Sequence, residues 1–498
     1  MTHRVCVGCA LGLILIVGGY LRFENLANRS IRFDEAWSWS VGQSESAGGV
    51  LRAAQQDFNP PLYWWVLRQW MRWFGDSEFA MRSLSATCGI VSVLFMFWLG
   101  TEVAGVENLS QSTLCGLVAA ALLSVSSVHV LWAQQVRMYA LASCLTVAST
   151  WLFLRVRRVG SMSVWLVYVG TATALCWTHN FGAFVAASHC VFAVSCHRRD
   201  HGTPRFRQST LAVATVGVLF LPWLWVGAFS QIERVRDDYW IPASDVWSVV
   251  EVVWHNCFPV ASREPVSDWL MIAWFDLVLV ALALAVGTKP AARIVVALYV
   301  LTHAVVLALS VAVTPLMFAR YFQFAHLGLL LSVALLLTQM SSFRIGAALG
   351  CLVVAGSLSW HLQLQRQIDP RERPGVRAIC DQIKDRPDCK SVFVLHPYLF
   401  HAVDYYVRDI DVRLVAASGE TAAYLGGSIL TEDDLITPED VPGRAKYFVQ
   451  LGGYPCLPDH PAVVVGKCTD IWVARQFGWA GEIQLLEIPN GADESILE

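Results

Sequence analysis

The sequence predicts a polytopic α-helical membrane protein with a small water-compatible C-terminal domain of α/β or α+β type, on three observations. Hydrophobic residues make up 55% of the 498 positions and charged residues only 15%, with 21 tryptophans and a mean hydropathy of +0.49. Soluble globular chains do not have that composition. Apolar stretches near the ~20 residues that a bilayer crossing requires recur up to about residue 361, whereas from about residue 366 the composition becomes polar. The formal net charge of -3, without a basic stripe carrying interleaved aromatics, argues against nucleic acid as a partner.

Eleven spans are expected, near residues 5–21, 80–99, 112–130, 138–154, 162–178, 180–196, 209–228, 268–286, 291–312, 321–339 and 344–361. The first follows the short basic start ending at Arg4 and has no obvious small-x-small cleavage site, so it reads as a retained signal-anchor helix. With the N-terminus inside, the basic loops Arg155–Arg158, 197–208, Lys289–Arg293 and Arg344 fall on the cytoplasmic side. That orientation makes the chain a multi-pass protein of the plasma (inner) membrane with residues 22–79 and the C-terminal domain, 362–498, on the extracytoplasmic face. Pro61 to Phe74 reads as an amphipathic interfacial helix opened by Pro60-Pro61 and closed by Gly75.

In the C-terminal domain, Arg373 to Ile383 and Ala402 to Val407 are expected helices. Ser391 to Leu395, Arg444 to Leu451 and Ala462 to Val465 are expected strands. Four of the fourteen cysteines lie in this polar part: Cys380, Cys389, Cys456 and Cys468. In an oxidising compartment they permit two disulfides, with three connectivities open.

The chemistry-bearing stretch is Arg29-Ser-Ile-Arg-Phe-Asp-Glu-Ala-Trp-Ser-Trp39, which places adjacent acids Asp34 and Glu35 directly after the first span. An acid beside a membrane span is costly unless hydrated, paired, metal-bound or used. A solvated loop acid among interfacial tryptophans is the competing reading. The clusters Trp37/Trp39 and Tyr63/Trp64/Trp65 fit an interfacial belt, with ring stacking on a bound ligand as the alternative.

Seven stretches, in this order, resemble the GT-C glycosyltransferases that use lipid-linked sugars, especially the ArnT and protein O-mannosyltransferase-like branch. They are Asp34-Glu35, Asp57-Phe-Asn-Pro-Pro-Leu-Tyr-Trp64, Phe74-Gly-Asp-Ser-Glu-Phe-Ala-Met-Arg-Ser-Leu-Ser85, Trp132-Ala-Gln-Gln-Val-Arg-Met-Tyr-Ala140, Trp177-Thr-His-Asn180, Leu221-Pro-Trp223 and Met317-Phe-Ala-Arg-Tyr321. The resemblance covers about residues 1 to 360. It implies a GT-C-like membrane domain that transfers a sugar from a polyprenyl-phosphate donor to an extracytoplasmic glycolipid, polysaccharide or protein, with the outer acid as the catalytic or metal-binding group.

Such a transfer needs a carboxylate to take the acceptor hydroxyl's proton, and Asp34 is assigned that role. Glu35 cannot face the same way on a regular helix, so it pairs with an arginine, orients a loop or ligates a cation in support of Asp34. Asp57 is the next candidate acid. Asn59 departs from the family pattern, in which a basic or His position often stands there. If a divalent cation binds, Asp34, Asp57 and His255 are its natural ligands. Arg320 with Tyr321, Arg137 with Tyr139, and Arg82 are candidates for the donor phosphate, with Glu78 as a rival partner for Arg82. His179 and Asn180, in a tight turn between spans, are candidate sugar or acceptor contacts. A lipid or glycan transporter or flippase remains the alternative from another class, and a glycan-binding sensor a third.

Overall fold

The computed structural model describes residues 2–105, 107–196, 204–229, 231, 241, 243–259, 266–340, 342–372, 375–416, 430, 432–441, 446–452, 463–469 and 482–488. Among the described residues, eight helices are long and apolar enough to cross a membrane: Arg4–Phe23, Glu78–Ala104, Tyr139–Val159, Phe206–Gly227, Asp268–Thr288, Ala292–Ala312, Ala319–Gln339 and Arg344–Arg366. Two shorter apolar helices, Met162–Thr178 and Gly182–Ser195, and the bent pair Leu109–Val125 with Ser127–Ala133 occupy the other expected positions. The chain is an α-helical membrane protein of many spans.

In chain order the helices are α1 (Thr2–Phe23), α2 (Phe33–Gly42), α3 (Ala47–Gln56), α4 (Leu62–Phe74), α5 (Glu78–Ala104), α6 (Leu109–Val125), α7 (Ser127–Ala133), α8 (Tyr139–Val159), α9 (Met162–Thr178), α10 (Gly182–Ser195), α11 (Pro204–Trp223), α12 (Val246–Cys257), α13 (Asp268–Thr288), α14 (Ala292–Ala312), α15 (Gln323–Gln339) and α16 (Phe343–Glu372). The expected single span at 112–130 is two helices meeting at 60°. Ser126 turns extended there, at φ -63° and ψ 114°. The carbonyls of Leu123 and Ser124 are taken by the buried Arg22 guanidinium of α1 at 3.0 and 2.9 Å. A cation at a helix C-terminus is favourable because the last carbonyls lack intrahelical donors. Arg22 also donates to Gly18 O at 3.0 Å.

The first loop folds into α2, α3 and α4. Helix α4 begins after Pro61 and stops at Gly75, whose φ of +79° is a conformation that favours glycine. Trp37, Trp39, Tyr63 and Trp64 are 4%, 7%, 1% and 0% exposed. They do not form an interfacial belt: Trp37 packs edge-on against Trp64 at 5.0 Å, so these rings are core of the loop helices. Trp65 is partly buried and stacks on Trp177 at 6.2 Å.

In the C-terminal part, helix α17 (Val376–Lys384) and helix α18 (Pro397–Tyr406) flank a six-stranded sheet. Numbered β1 (Ser391–Val394), β2 (Asp411–Val415), β3 (Leu435–Ile436), β4 (Tyr447–Leu451), β5 (Val463–Thr469) and β6 (Glu482–Glu487), the strands run in the order β3-β2-β1-β4-β6-β5. The first four pair parallel and β6 pairs antiparallel with β4 and β5. Helix α18 starts five residues before the expected Ala402 because Pro397 occupies its first turn and His396 caps it, accepting the Tyr398 N–H. Strands β2, β3 and β6 were not anticipated. Cys380 and Cys389 carry free thiols, so two disulfides among the four cysteines are not formed; Cys456 lies outside the described residues.

Helices α5 and α6 pack tightly at Gly100 and Gly116, where a Cβ on Gly100 would stand 2.9 Å from the Gly116 Cα. A Cβ on Gly116 would stand 2.6 Å from the Phe97 carbonyl oxygen and 2.7 Å from Thr101 Cγ2. Gly116→Ala is therefore expected to cost about 1–3 kcal/mol by overpacking, read as a lower midpoint in detergent thermal melts. An unchanged midpoint would show that the pair parts without cost.

Candidate active site

Asp34 and Glu35 fall in the first turn of α2, where acids favour the positive end of the helix. Being successive residues they face apart. Glu35 is 0% exposed and accepts both Nε and Nη2 of Arg82, at 2.8 and 2.7 Å. It also accepts the backbone N–H of Val136 at 3.0 Å and of Arg32 at 3.2 Å. Burial would raise its pKa, but Arg82 outweighs burial and leaves it below the usual carboxylate range.

Arg82 has further bonds to the carbonyls of Leu26 (2.7 Å), Arg29 (2.9 Å) and Ser30 (3.0 Å). A guanidinium has five N–H donors, and all five are used. Arg82 therefore has nothing left for a phosphate, and its expected place among the donor-binding arginines is corrected: it fixes the Leu26–Ser30 turn and Glu35. Glu78, its proposed rival partner, instead pairs with Arg377 at 2.5 Å.

Asp34 turns to the opposite side. Its Oδ2 accepts Arg320 Nη1 at 2.9 Å, its backbone carbonyl accepts Arg137 Nη1 at 3.2 Å, and 30% of its side-chain surface stays open. Burial pulls this carboxyl up, but Arg137 and then Arg320 outweigh burial and hold it below its ordinary value. Asp34 is ionised at neutral pH and reachable.

Asp57 closes α3 and is 9% exposed. Its Oδ2 is buried without a hydrogen-bond partner. Burial, only partly countered by Arg137, by the Phe58 backbone and by an Asn59 side-chain hydrogen bond, pushes its pKa up to about 6, with Asp34's charge adding to the rise. Asn59 thus serves Asp57 as a hydrogen-bond partner and is itself 8% exposed. Arg137, 6% exposed, lies 5.9 Å from the centre of the Trp37 ring and keeps an unpartnered Nε.

Tyr139, His179 and Tyr321 form one aromatic wall. The His179 ring stands 5.8 Å from Tyr139 and 5.9 Å from Tyr321. His179 Nδ1 accepts the Phe181 N–H at 3.1 Å, which places the proton of the neutral ring on Nε2, a buried atom without a partner. Burial, then Arg137 and Arg320, lowers its pKa to about 3, so it remains neutral. Asn180 is occupied: it donates to Phe58 O and Gln231 Oε1, both at 3.0 Å, and accepts Trp223 Nε1 at 3.1 Å. It ties the turn that presents Asp57 to the neighbouring helices and is not a ligand contact.

Among the described residues, no group of three His, Cys, Asp or Glu side chains stands where it could hold a metal ion. His255, near the end of helix Val246–Cys257, is not assembled with Asp34 and Asp57 into a ligand set. What the cluster does offer is two guanidiniums, Arg137 and Arg320, on the Asp34 side and the neutral His179 ring between Tyr139 and Tyr321, and guanidiniums are anion-binding groups.

Residues 59–225 match the family model for dolichyl-phosphate-mannose-protein mannosyltransferases. The structure aligns with ArnT from Cupriavidus metallidurans bound to undecaprenyl phosphate at a TM-score of 0.63 and 13% identity, covering 96% of this chain and 98% of ArnT. The chain has the GT-C fold of ArnT. The apo form of ArnT aligns equally well, at 0.62, 14% identity, and 97% and 98% coverage. Archaeal oligosaccharyltransferase AglB from Archaeoglobus fulgidus, in complex with an inhibitory peptide and a dolichol-phosphate, aligns at 0.53 and 12% identity over 90% of this chain and 70% of AglB. No curated protein sequence matches the chain.

Two substitutions separate support from chemistry in this cluster. Glu35→Gln leaves Arg82 buried and uncompensated and is expected to cost about 3–5 kcal/mol, read as loss of folded protein on size exclusion; normal folding would refute the anchoring role. For Asp57, the folded protein binds the proton more tightly than the unfolded chain, so its contribution is full below pH ~4 and lost as pH rises through about 6. Asp57→Asn is then expected to gain stability over the parent as pH rises from about 4 to about 6, reaching up to about 3 kcal/mol above pH 6. A pH-independent difference in thermal midpoint would contradict that titration.

Proposed function

We propose that this protein is a membrane glycosyltransferase that moves a hexosyl or pentosyl unit from a polyprenyl-phosphate donor to a hydroxyl of a glycolipid, polysaccharide or protein. The observation that carries the reading is Asp34: an ionised, reachable carboxylate paired with Arg320 and backed by Arg137, in a fold shared with an ArnT that binds undecaprenyl phosphate.

In this reading Asp34 accepts the acceptor's O–H proton while the new oxygen–C1 bond forms and the C1–O bond to phosphate breaks. The negative charge released on the polyprenyl phosphate is met by Arg320, by the open Nε of Arg137 and by the Nε2–H of His179. As Arg320 engages phosphate it withdraws from Asp34, and the carboxylate becomes a stronger base when the donor is in place. Tyr139 and Tyr321 line the sugar or phosphate position.

The site stands at the N-terminal ends of α5 and α8. The basic residues Arg155 and Arg158 pair with Glu102 near the opposite ends of the same helices. A bilayer separates the two sets, and the positive-inside bias supports an extracytoplasmic site beside the C-terminal domain. Clustering at one face favours an interfacial enzyme over a transporter, whose ionisable groups gather at the midplane.

Asp34→Asn is expected to leave expression and thermal stability near the parent and to cut sugar transfer by roughly 10²- to 10⁴-fold, measured with polyprenyl-phosphate sugars and envelope glycolipid or glycoprotein acceptors. Undiminished transfer would remove Asp34 as the base. Mass spectrometry of envelope glycans from a deletion strain identifies the sugar and acceptor.

A further inference from the structure

We infer that the C-terminal domain is a positioning part of the Asp34 site, acting through Tyr406, whose hydroxyl joins the chain entering α2 to the first turn of α5. The inference rests on the proposed function and assigns a role to a domain whose described residues supply no side chain to the acid–arginine cluster.

Tyr406 ends helix α18. Its oxygen accepts the Ile31 N–H at 2.7 Å, and its single proton goes to the Glu78 carboxylate. Arg377, from helix α17, holds that carboxylate from the other side at 2.5 Å. Arg377 also reaches the same turn directly, through Ala27 O at 3.1 Å, Arg29 O at 3.3 Å and its own N–H to Ser30 Oγ at 3.2 Å. The turn is therefore held from two sides. Arg82 of the membrane domain takes the carbonyls of Leu26, Arg29 and Ser30, while the C-terminal domain takes the amide of Ile31.

Three residues after Ile31 comes Asp34. Along α2 the same domain stacks Tyr398 on Phe33 at 4.6 Å, sets Tyr405 edge-on to Trp39 at 5.2 Å, and places His401 Nδ1 3.2 Å from Ser40 Oγ. One face of α2 is thus bound to the C-terminal domain, and the angle at which Asp34 meets Arg320 is set from both domains. Misplacement by about 1 Å costs about 10²-fold in rate when a reacting group must be aligned.

Tyr406→Phe in the full-length protein tests the clamp with two readouts. Hydrogen exchange by mass spectrometry should show residues 28–36 exchanging at least about tenfold faster, while the membrane helices and thermal midpoint stay near the parent. Sugar transfer should show kcat falling about 10- to 100-fold, with KM for the polyprenyl-phosphate donor changed less than about threefold. Arg377→Ala, which leaves Tyr406 intact, should shift both readouts in the same direction. Unchanged exchange at 28–36 overturns the clamp, whatever the protein's activity. Faster exchange with kcat unchanged overturns its bearing on Asp34, and joint loss of kcat, donor affinity and midpoint reduces Tyr406 to general stability. If the parent transfers no sugar from any polyprenyl-phosphate donor, the functional reading fails while the exchange result still decides the clamp.

Discussion

The buried pair of Glu35 and Arg82 is the constraint on which the site is built. Removing two charges from water is expensive, and a close ion pair offsets the cost only when the remaining donors and acceptors are satisfied as well. Here they are: all five Arg82 donors are used, and Glu35 adds the amides of Val136 and Arg32 to its two arginine bonds. This arrangement joins three segments distant in sequence, the turn before α2, the start of α5 and the loop before α8. It also decides which of two adjacent acids is available for chemistry. With Glu35 committed inward, the helix must turn Asp34 toward Arg320.

The two remaining carboxylates are separated by environment. Asp34 lies against two guanidiniums and ionises readily, whereas Asp57, with one buried oxygen unpartnered, holds its proton to about pH 6. Environments that drive two acids apart distinguish a base from a proton-holding neighbour. Arg137 influences both, since it bonds the Asp34 backbone and its charge acts on Asp57. It therefore couples the loop before α8 to two acids from the first loop. In the proposed reaction the phosphate enters between groups that already balance each other, and an anion there replaces part of Asp34's claim on the arginines.

Much of this was legible in the sequence. Hydropathy located the spans because a bilayer crossing needs one long apolar run, and the opposite facing of Asp34 and Glu35 followed from helical geometry. Arg82 was misplaced because sequence spacing offered Glu78, four residues earlier in the chain, while its actual partner Glu35 is brought in by tertiary folding. The aromatic rings at 37, 39, 63 and 64 looked interfacial because composition cannot distinguish a membrane belt from a packed loop core. Asp411–Val415 and Glu482–Glu487 escaped notice as strands because their polar, alternating faces gave no continuous apolar run. The bend between α6 and α7 had no proline or glycine to announce it, and the carbonyls it leaves open are taken by Arg22, more than a hundred residues away.

That bend explains how irregular backbone is tolerated here. The site is assembled from helix ends and connections: the start of α2, the end of α3, the segment from Ala133 to Tyr139, the His179 turn and the Phe318–Tyr321 turn. In hydrocarbon each unpaired backbone group costs several kcal/mol, so non-helical backbone survives at membrane depth only inside protein or beside a water-filled cavity. The side chains that satisfy these breaks are therefore as necessary as those that do chemistry. Arg22 serves the end of α6, Asn180 the Phe58 carbonyl, Gln231 the Ala54 carbonyl, and Tyr406 the Ile31 amide. These four come from distant parts of the chain, so the breaks around the first loop are satisfied jointly by the helical bundle and the C-terminal part.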